Sequence, residues 1–451
     1  MAVNRRLLFW VIKAYIRKSW RSILISFLLG LTFFFVLLYG FRYFHSLLPV
    51  SKKVSIGIVG AYTQDNLPPI VMERLSRGLT KVAADGSISP DIASSWKISD
   101  NGKAYTFYLK PDLTFTNGKR VDAASINYNF ADVAIEKPDK RTIVFKLKDA
   151  YAPFLITVSK PIFSSGFTGV SDYTVENIKL NGNFVQSITL VSTKNRFDTI
   201  RYQFYPSEEA LKMAFLLGEI SQAVGLTNTK VKDTDFTSFH NTQVKQETDY
   251  THLVTLFFNT TDETLSDKKL RLALTYAMPQ TFATGEKAFL PYSPKSIFYH
   301  KALPKREQDI VHAKELLGIE ADTKPEKKYT LTIATLKKHT DTAKAIAASW
   351  KQLGVETKVE EVEGIPSKFQ IFLGDFSIPR DPDQYTLWHS DQMNNITQYK
   401  NLRIDKLLED GRKVVDLETR KKLYTDFQKY LMDDSPAWFL YFPTEYQLTK
   451  K

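Results

Sequence analysis

Residues 329–373, YTLTIATLKKHTDTAKAIAASWKQLGVETKVEEVEGIPSKFQIFL, decide the fold class. The opening run 329–334 pairs β-branched with apolar residues and reads as a strand. Residues 340–353 carry apolar side chains at helical spacing and stop at Gly354, so they read as a helix. Residues 355–362 and 369–373 then read as two further strands. Strand, helix, strand at this length is a βαβ unit, which implies parallel strands and a right-handed crossover. Downstream, helices are expected near 403–415 and 418–432, the second preceded by Asp416 and Leu417 and followed by Pro436. The end of the chain, 437–448, is aromatic and extended.

Upstream the pattern changes. Strands are expected at 54–59, 92–98, 104–109, 113–115 and 142–147, separated by Asp100-Asn-Gly102 and Thr116-Asn-Gly118, both turn signals. Asp122 is placed to cap a helix running to about residue 130. A second helix, 208–217, ends at Gly218, and residues 253–258 form an apolar strand. Ser266 is placed to cap a third helix. The first half is thus antiparallel-rich and the second α/β, which predicts two lobes of different make-up. No repeat of fixed period is present.

The first 53 residues stand apart. Residues 22–41 are uncharged and rich in Leu, Phe and Ile, which suits a bilayer core of about 20 helical residues. Nine basic side chains and no acidic ones fall in 1–53 (Arg5, Arg6, Lys13, Arg17, Lys18, Arg21, Arg42, Lys52, Lys53), so nine of the net +12 belong here and +3 is left for residues 54–451. Six of the nine precede the apolar run, which keeps the N-terminus cytoplasmic and exports the rest. Tyr39, Tyr43 and Phe44 are expected at the outer interface. The 21-residue basic lead, the length of the run and the lack of an A-x-A site favour an uncleaved anchor over a signal peptide. The near-neutral remainder argues against a nucleic-acid partner. There is no Cys, which excludes disulfides, thiolate metal sites and a Cys nucleophile.

Catalytic signatures are scarce. The seven histidines show no metal-ligand spacing; no G-x-S-x-G elbow, phosphate loop or G-x-G-x-x-G after a strand is present. The balance favours a binding protein over an enzyme, with no metal and no cofactor. One segment, 372–392, follows a strand at the carboxyl edge of the α/β part, where open sheets bind ligands. It sets Asp375, Asp381 and Asp383 beside Phe376, Tyr385 and Trp388. Carboxylates next to aromatic faces suit an amine on an apolar body. The same residues also fit a solvated Asp-Pro-Asp turn over core aromatics.

Seven segments, in order, carry a family resemblance: Ser76-Arg-Gly-Leu-Thr-Lys-Val82 with Asp85-Gly and Pro90-Asp-Ile-Ala-Ser-Ser-Trp96; Asp100-Asn-Gly through Leu109; Phe115-Thr-Asn-Gly through Asp122; Leu216-Leu-Gly-Glu-Ile220; Phe257-Phe-Asn-Thr260 with Leu270-Arg-Leu-Ala-Leu-Thr-Tyr-Ala277; Asp381-Pro-Asp-Gln-Tyr-Thr-Leu-Trp-His-Ser390; and 399–407 with 423–432. Together, over roughly 54–447, the chain resembles the family 5 extracellular solute-binding proteins, the dipeptide, oligopeptide and nickel receptors of ABC importers.

The resemblance implies an α/β, two-lobed periplasmic-binding-protein-like fold (type II, cluster C), here with a single N-terminal transmembrane helix. The apolar run gives a cytoplasmic tail at 1–21 and an anchor at 22–48; the resemblance implies lobe I at 49–256, lobe II at 257–435 and a return to lobe I at 436–451. Peptides would bind in the interlobe cleft by hinge closure and pass to the membrane subunits of an ABC permease, the receptor acting as a monomer in the cell membrane. A receptor for nickel, sugar or another solute, or a non-transport docking protein, are the alternatives. In peptide-binding members an Asp matching Asp375 holds the ligand's α-amino group, with Asp381 second in line. Tyr62 and Asn259 match stretches that face the cleft, and Tyr385 and Trp388 would wall side-chain pockets. The chain departs from the family in a shortened subdomain after residue 130, in a loop reduced to Asn181-Gly-Asn-Phe184, and in an anchor helix in place of a lipid-modified Cys.

Overall fold

The structure is a computed structural model that describes residues 5–47, 52–282, 285–319 and 329–451. Its first element is a helix of 43 residues, Arg5–Leu47, within which Lys13–Leu37 is long and apolar enough to cross a membrane. Tyr39 is exposed on it, whereas the side chains of Tyr43 and Phe44 lie outside the described residues.

Two sheets meet along one strand. Ala437–Lys450 pairs through Ala437–Tyr441 with His252–Phe258, and through Thr444–Lys450 with Thr242–Thr248. The first half therefore belongs to the lobe II sheet, ordered Val355–Val362, Tyr329–Leu336, Ile371–Ser377, His252–Phe258. The second half belongs to the lobe I sheet, in which Lys53–Val59 lies parallel between Thr199–Tyr205 and Gln222–Leu226, and two antiparallel strands, Phe184–Ser192 and Tyr173–Asn181, continue the edge. The chain crosses between sheets at 248–252 and 441–444, side by side. The expected border at 256/257 thus lies several residues beyond the observed crossing: His252–Phe258 pairs over its whole length with Ile371–Ser377.

The decisive βαβ unit is present. Tyr329–Leu336 and Val355–Val362 are parallel, joined by the helix Thr340–Trp350, and Gly354 takes the left-handed conformation (φ 72°) that a Cβ disfavours. Trp350 is fully buried beneath the sheet and donates its indole N–H to Leu274 O at 2.9 Å. Lobe I is mixed rather than antiparallel, because Thr199–Tyr205, the helix Glu208–Leu217 and Gln222–Leu226 form a second crossover unit around the first strand.

A third unit holds the four-stranded antiparallel sheet Ala93–Ser99, Ala104–Leu109, Thr142–Leu147, Val133–Asp139, with its own core of Tyr105, Phe107, Phe145 and Phe154. Gly78 is where this unit meets the loop after residue 158: an added Cβ would sit 2.4 Å from the Ser159 carbonyl, so only glycine lets the two backbones pass. The helix expected from Asp122 to 130 is absent. Asp122 caps a single turn, Ala123–Ser125, and the chain then runs extended. The reason is periodicity: Ile126, Tyr128 and Phe130 turn inward while Asn127 and Asn129 are exposed, a period of two that packs both rings on Phe145. Two smaller corrections have similarly local causes. Residues 113–115 make only an isolated bridge, Thr114 to Arg120, and the helix Lys268–Tyr276 is capped by Asp267, whose carboxylate accepts from Lys269 N at 2.8 Å, not by Ser266.

Candidate functional site

The strand directions locate the site. In lobe II, Ser377 at the carboxyl end of its strand pairs with His252, the first residue after the crossing. In lobe I, Leu226 at the carboxyl end of its strand pairs with Tyr446, near the crossing, while Gln222 at the other end pairs with the more distant Thr449. The carboxyl ends of the parallel strands of both lobes thus face the same junction, the place where open α/β sheets bind ligands. A cavity of about 390 Å³ lies there, lined by crossing residues Asp249–Thr251, by Ile378–Arg380 of lobe II and by Ala83–Gly86 of the third unit. A larger one, about 750 Å³, opens at the carboxyl ends of the lobe I strands, over Gly60, Ala61 and Tyr205.

Asp375 lies two residues before the end of its strand, on the junction side. Its Oδ1 accepts from Lys338 Nζ at 2.6 Å and from His339 Nε2 at 3.1 Å. Both donors come from the turn Lys337–His339, which links strand to helix in the βαβ unit. Among the described residues Oδ2 takes no hydrogen bond. Burial pushes the carboxyl up, but the hydrogen bonds from His339 and Lys338 outweigh it and hold Asp375 well below the usual carboxylate range. Its charge therefore persists through neutral and mildly acidic pH. His339 is itself buried, with Nδ1 3.5 Å from the Tyr441 hydroxyl, which in turn contacts Thr342 Oγ1 at 3.0 Å. A chain of polar contacts thus ties the carboxylate to the strand that joins the lobes.

The crossing carries its own ion pair. His252 Nδ1 meets Asp249 Oδ2 at 2.6 Å, and Nε2 lies 3.2 Å from Ser377 Oγ. The hydrogen bond to Asp249 raises His252 above 6.5 against the opposing effect of burial, with Asp375 and Glu445 adding to the rise. A raised folded-state value means the pair's contribution is complete below 6.5 and is lost as pH climbs through the raised value. The thermal midpoint of wild type is accordingly expected to exceed that of His252→Gln most below pH 6.5, with the gap closing towards pH 9; a gap independent of pH would refute this.

The remaining expected site residues scatter. Tyr62 lies three residues past the end of its lobe I strand, on the junction side, its ring tilted against Phe204 at 4.9 Å between centroids and its hydroxyl donating to Val59 O. Asn259 lies at the other end of lobe II: its neighbour Phe258 pairs with Ile371 where Val254 pairs with Asp375, so about five residues, roughly 16 Å of strand, separate it from the aspartate. There its amide closes a turn, accepting from Thr261 N and donating to Phe369 O. Asp381 is 6 % exposed and held by both terminal guanidinium nitrogens of Arg420, at 2.8 and 2.5 Å. Trp388 is fully buried, packed on Phe257 and Phe439 with its N–H on Gln384 Oε1. Tyr385 lies between His389, at 4.2 Å, and the Arg412 guanidinium, at 4.3 Å. These last three correct the sequence expectation: the Asp-Pro-Asp segment builds the interior of lobe II and its seam with the third unit, where Arg412 also lies over Tyr151 and its carbonyl accepts from Ala152 N. Near that seam burial pushes the Tyr105 hydroxyl up to about 12, so it stays neutral and donates to Tyr151 O.

Lys338, His339, His252 and Asp249 were missed because each is an unremarkable residue of a loop or strand start. The available signal was the rule that the turn after a parallel strand faces the ligand, applied to 337–339 as well as to 378–383.

Comparison with known proteins bears on the family and the fold. The family model for bacterial extracellular solute-binding proteins, family 5 Middle, matches residues 87–134 and 127–398. The oligopeptide-binding protein AppA of Bacillus subtilis is 26% identical, over 85% of this chain and 84% of its own. The substrate-binding protein CtaP of Listeria monocytogenes superposes with a TM-score of 0.74 at 19% identity, covering 89% of this chain and 94% of that one. The murein tripeptide-binding protein MppA in its unliganded open form gives 0.71 at 19% identity, over 89% and 94%.

Proposed function

The chain belongs to the bacterial extracellular solute-binding proteins of family 5, and from that premise we propose that it is a membrane-tethered receptor that captures peptides by their free α-amine and delivers them to an ABC permease. The observation that carries this reading is Asp375: an ionised carboxylate at the strand ends beside the crossing, with one oxygen that takes no hydrogen bond among the described residues. An ammonium group is the natural partner of such an oxygen, since charge-assisted hydrogen bonds are roughly twice as strong as neutral ones. That the Bacillus relative is an oligopeptide-binding protein supports the choice of ligand.

In this reading the two crossings, 248–252 and 441–444, are the hinge. A ligand held by lobe II at Asp375 and met from lobe I by the segment around Tyr62 favours the closed form by its extra contacts there. Tyr62 is retained as a cleft residue, whereas Asn259, Asp381, Tyr385 and Trp388 support the lobe. The span Lys13–Leu37 anchors the receptor in the cell membrane with its basic N-terminus in the cytoplasm, and the rest works outside as a monomer.

The test is capture by the full-length protein in detergent, read by mass spectrometry. A tripeptide library is offered in equal amounts with free and with acetylated amino termini. Free forms are expected to be enriched at least about tenfold, the worth of one charged hydrogen bond. Equal capture of the two forms, or none of either, overturns the reading.

A further inference from the structure

The carboxylate that would grip a ligand amine already grips one of the protein's own. Lys338 Nζ lies 2.6 Å from Asp375 Oδ1, and its side chain is 51% exposed where that of Asp375 is 16%. Lys338 is thus a half-solvated ammonium on a flexible stem, held at the rim by a carboxylate set deeper. His339, from the same turn, fills the remaining approach to Oδ1 from the buried side. Any amine reaching Oδ2 arrives next to Lys338, so two cations then share one anion across a single carboxyl group.

Coulomb repulsion between two ammonium groups a few ångströms apart is appreciable at a partly buried site. A ligand relieves it by bringing a negative charge close to its own amine. In a peptide that requirement is met by an acidic first residue, whose side-chain carboxylate is only a few bonds from the α-amine. On the basis of the peptide-receptor reading, we propose that Lys338 is a specificity-determining residue that selects peptides whose first residue is Asp or Glu. The ligand's amine takes Oδ2 of Asp375, and its side-chain carboxylate takes the Lys338 ammonium. A neutral first residue leaves the second cation uncompensated and binds more weakly.

The charged groups around this pair are consistent with the assignment. Lys337 stands on the same turn, and among the described residues the Asp375 carboxylate is the only one that pairs with Lys338. Glu361, on the neighbouring strand, is already bonded to Thr340 Oγ1 at 2.9 Å. Asp249 is paired with His252, so among the described residues no carboxylate other than Asp375 is in ion-pair contact with Lys338, and a ligand that takes up the Asp375 charge is favoured when it brings a carboxylate of its own.

The experiment uses free-amine tripeptides in isosteric pairs, Asp-first against Asn-first and Glu-first against Gln-first, offered in competition to full-length protein in detergent. Wild type is expected to enrich the acidic member of each pair by roughly tenfold, as a charge-assisted contact implies. Lys338→Met, which keeps the stem and removes the charge, is expected to bring that ratio to about one and to raise capture of the amide-first peptides. Lys338→Arg is expected to keep the acidic preference. The same ratio in wild type and Lys338→Met overturns the assignment while leaving the receptor reading intact. Absence of capture by every variant removes the receptor reading and this inference with it.

Discussion

Asp375→Ala is expected to lower the affinity for free-amine peptides by about a hundredfold while leaving the fold in place. A hydrogen bond to a charged group contributes about 1.5–3 kcal/mol, and each 1.4 kcal/mol is tenfold, so losing the contact alone accounts for roughly one to two decades. A second effect has the same sign. Without the carboxylate, Lys338 remains at the rim with no partner and repels the incoming ammonium. The cost to folding is small by comparison: Lys338 is half exposed and rehydrates, and only His339, buried and deprived of an acceptor, carries a penalty of about 1–3 kcal/mol. Asp375→Asn separates the two roles. It keeps an acceptor for His339 but no charge, so binding falls nearly as far as in Asp375→Ala while the thermal midpoint stays closer to wild type. Calorimetry with captured peptides together with thermal melts reads both. Unchanged affinity in both variants would remove Asp375 from the site.

Arg420→Ala carries the largest expected effect on stability, about 3–5 kcal/mol, because it strands a buried carboxylate. Both side chains of the Asp381–Arg420 pair are 8% exposed. The guanidinium also donates to Gly411 O at 2.8 Å and lies against the rings of Phe298 and Tyr424. Its removal leaves Asp381 desolvated with Asp383 close by, whose own carboxyl burial already raises despite Arg412. Against a usual total of about 5–15 kcal/mol, such a loss takes lobe II close to unfolding at physiological temperature. Replacing both partners with Leu is expected to recover much of it, since the expense lies in the unpaired charge rather than in the absence of the pair. Urea denaturation followed by tryptophan fluorescence measures this. A loss under 1 kcal/mol for Arg420→Ala, or a double variant no better than the single, would contradict it.

The Asp-Pro-Asp segment shows where reading from residues stops. Asp375, Asp381 and Asp383 with Phe376, Tyr385 and Trp388 fit an amine site and a structural turn equally well. The structure divides them: Asp375 faces the junction, while Asp381 and Asp383 pair inward with Arg420 and Arg412. The arginines lie 39 and 29 positions further on, and nothing in the local pattern marks them as partners. Asp122 teaches the same lesson at shorter range. Its capping turn was legible, but the alternation of Ile126, Tyr128 and Phe130 that ends the helix takes effect only because the aromatic face of the four-stranded sheet is there to receive it.

What the chain's order of residues determined by itself was local and periodic: the βαβ unit of 329–373, the helix stop at Gly218, the apolar run near the N-terminus, and the succession of segments that marks the family. These depend on side-chain spacing within ten to twenty residues, which one sequence displays directly. What only the tertiary structure decided was which charges meet. Lys338 and Asp375 are 37 positions apart, and His252 and Ser377 are 125 apart. Their contacts follow from parallel strands bringing carboxyl ends to one edge and from a single strand, Ala437–Lys450, belonging to two sheets at once. Strand pairing over such separations is settled by the packing of whole layers, so the chemistry at the junction appears only when those layers are assembled.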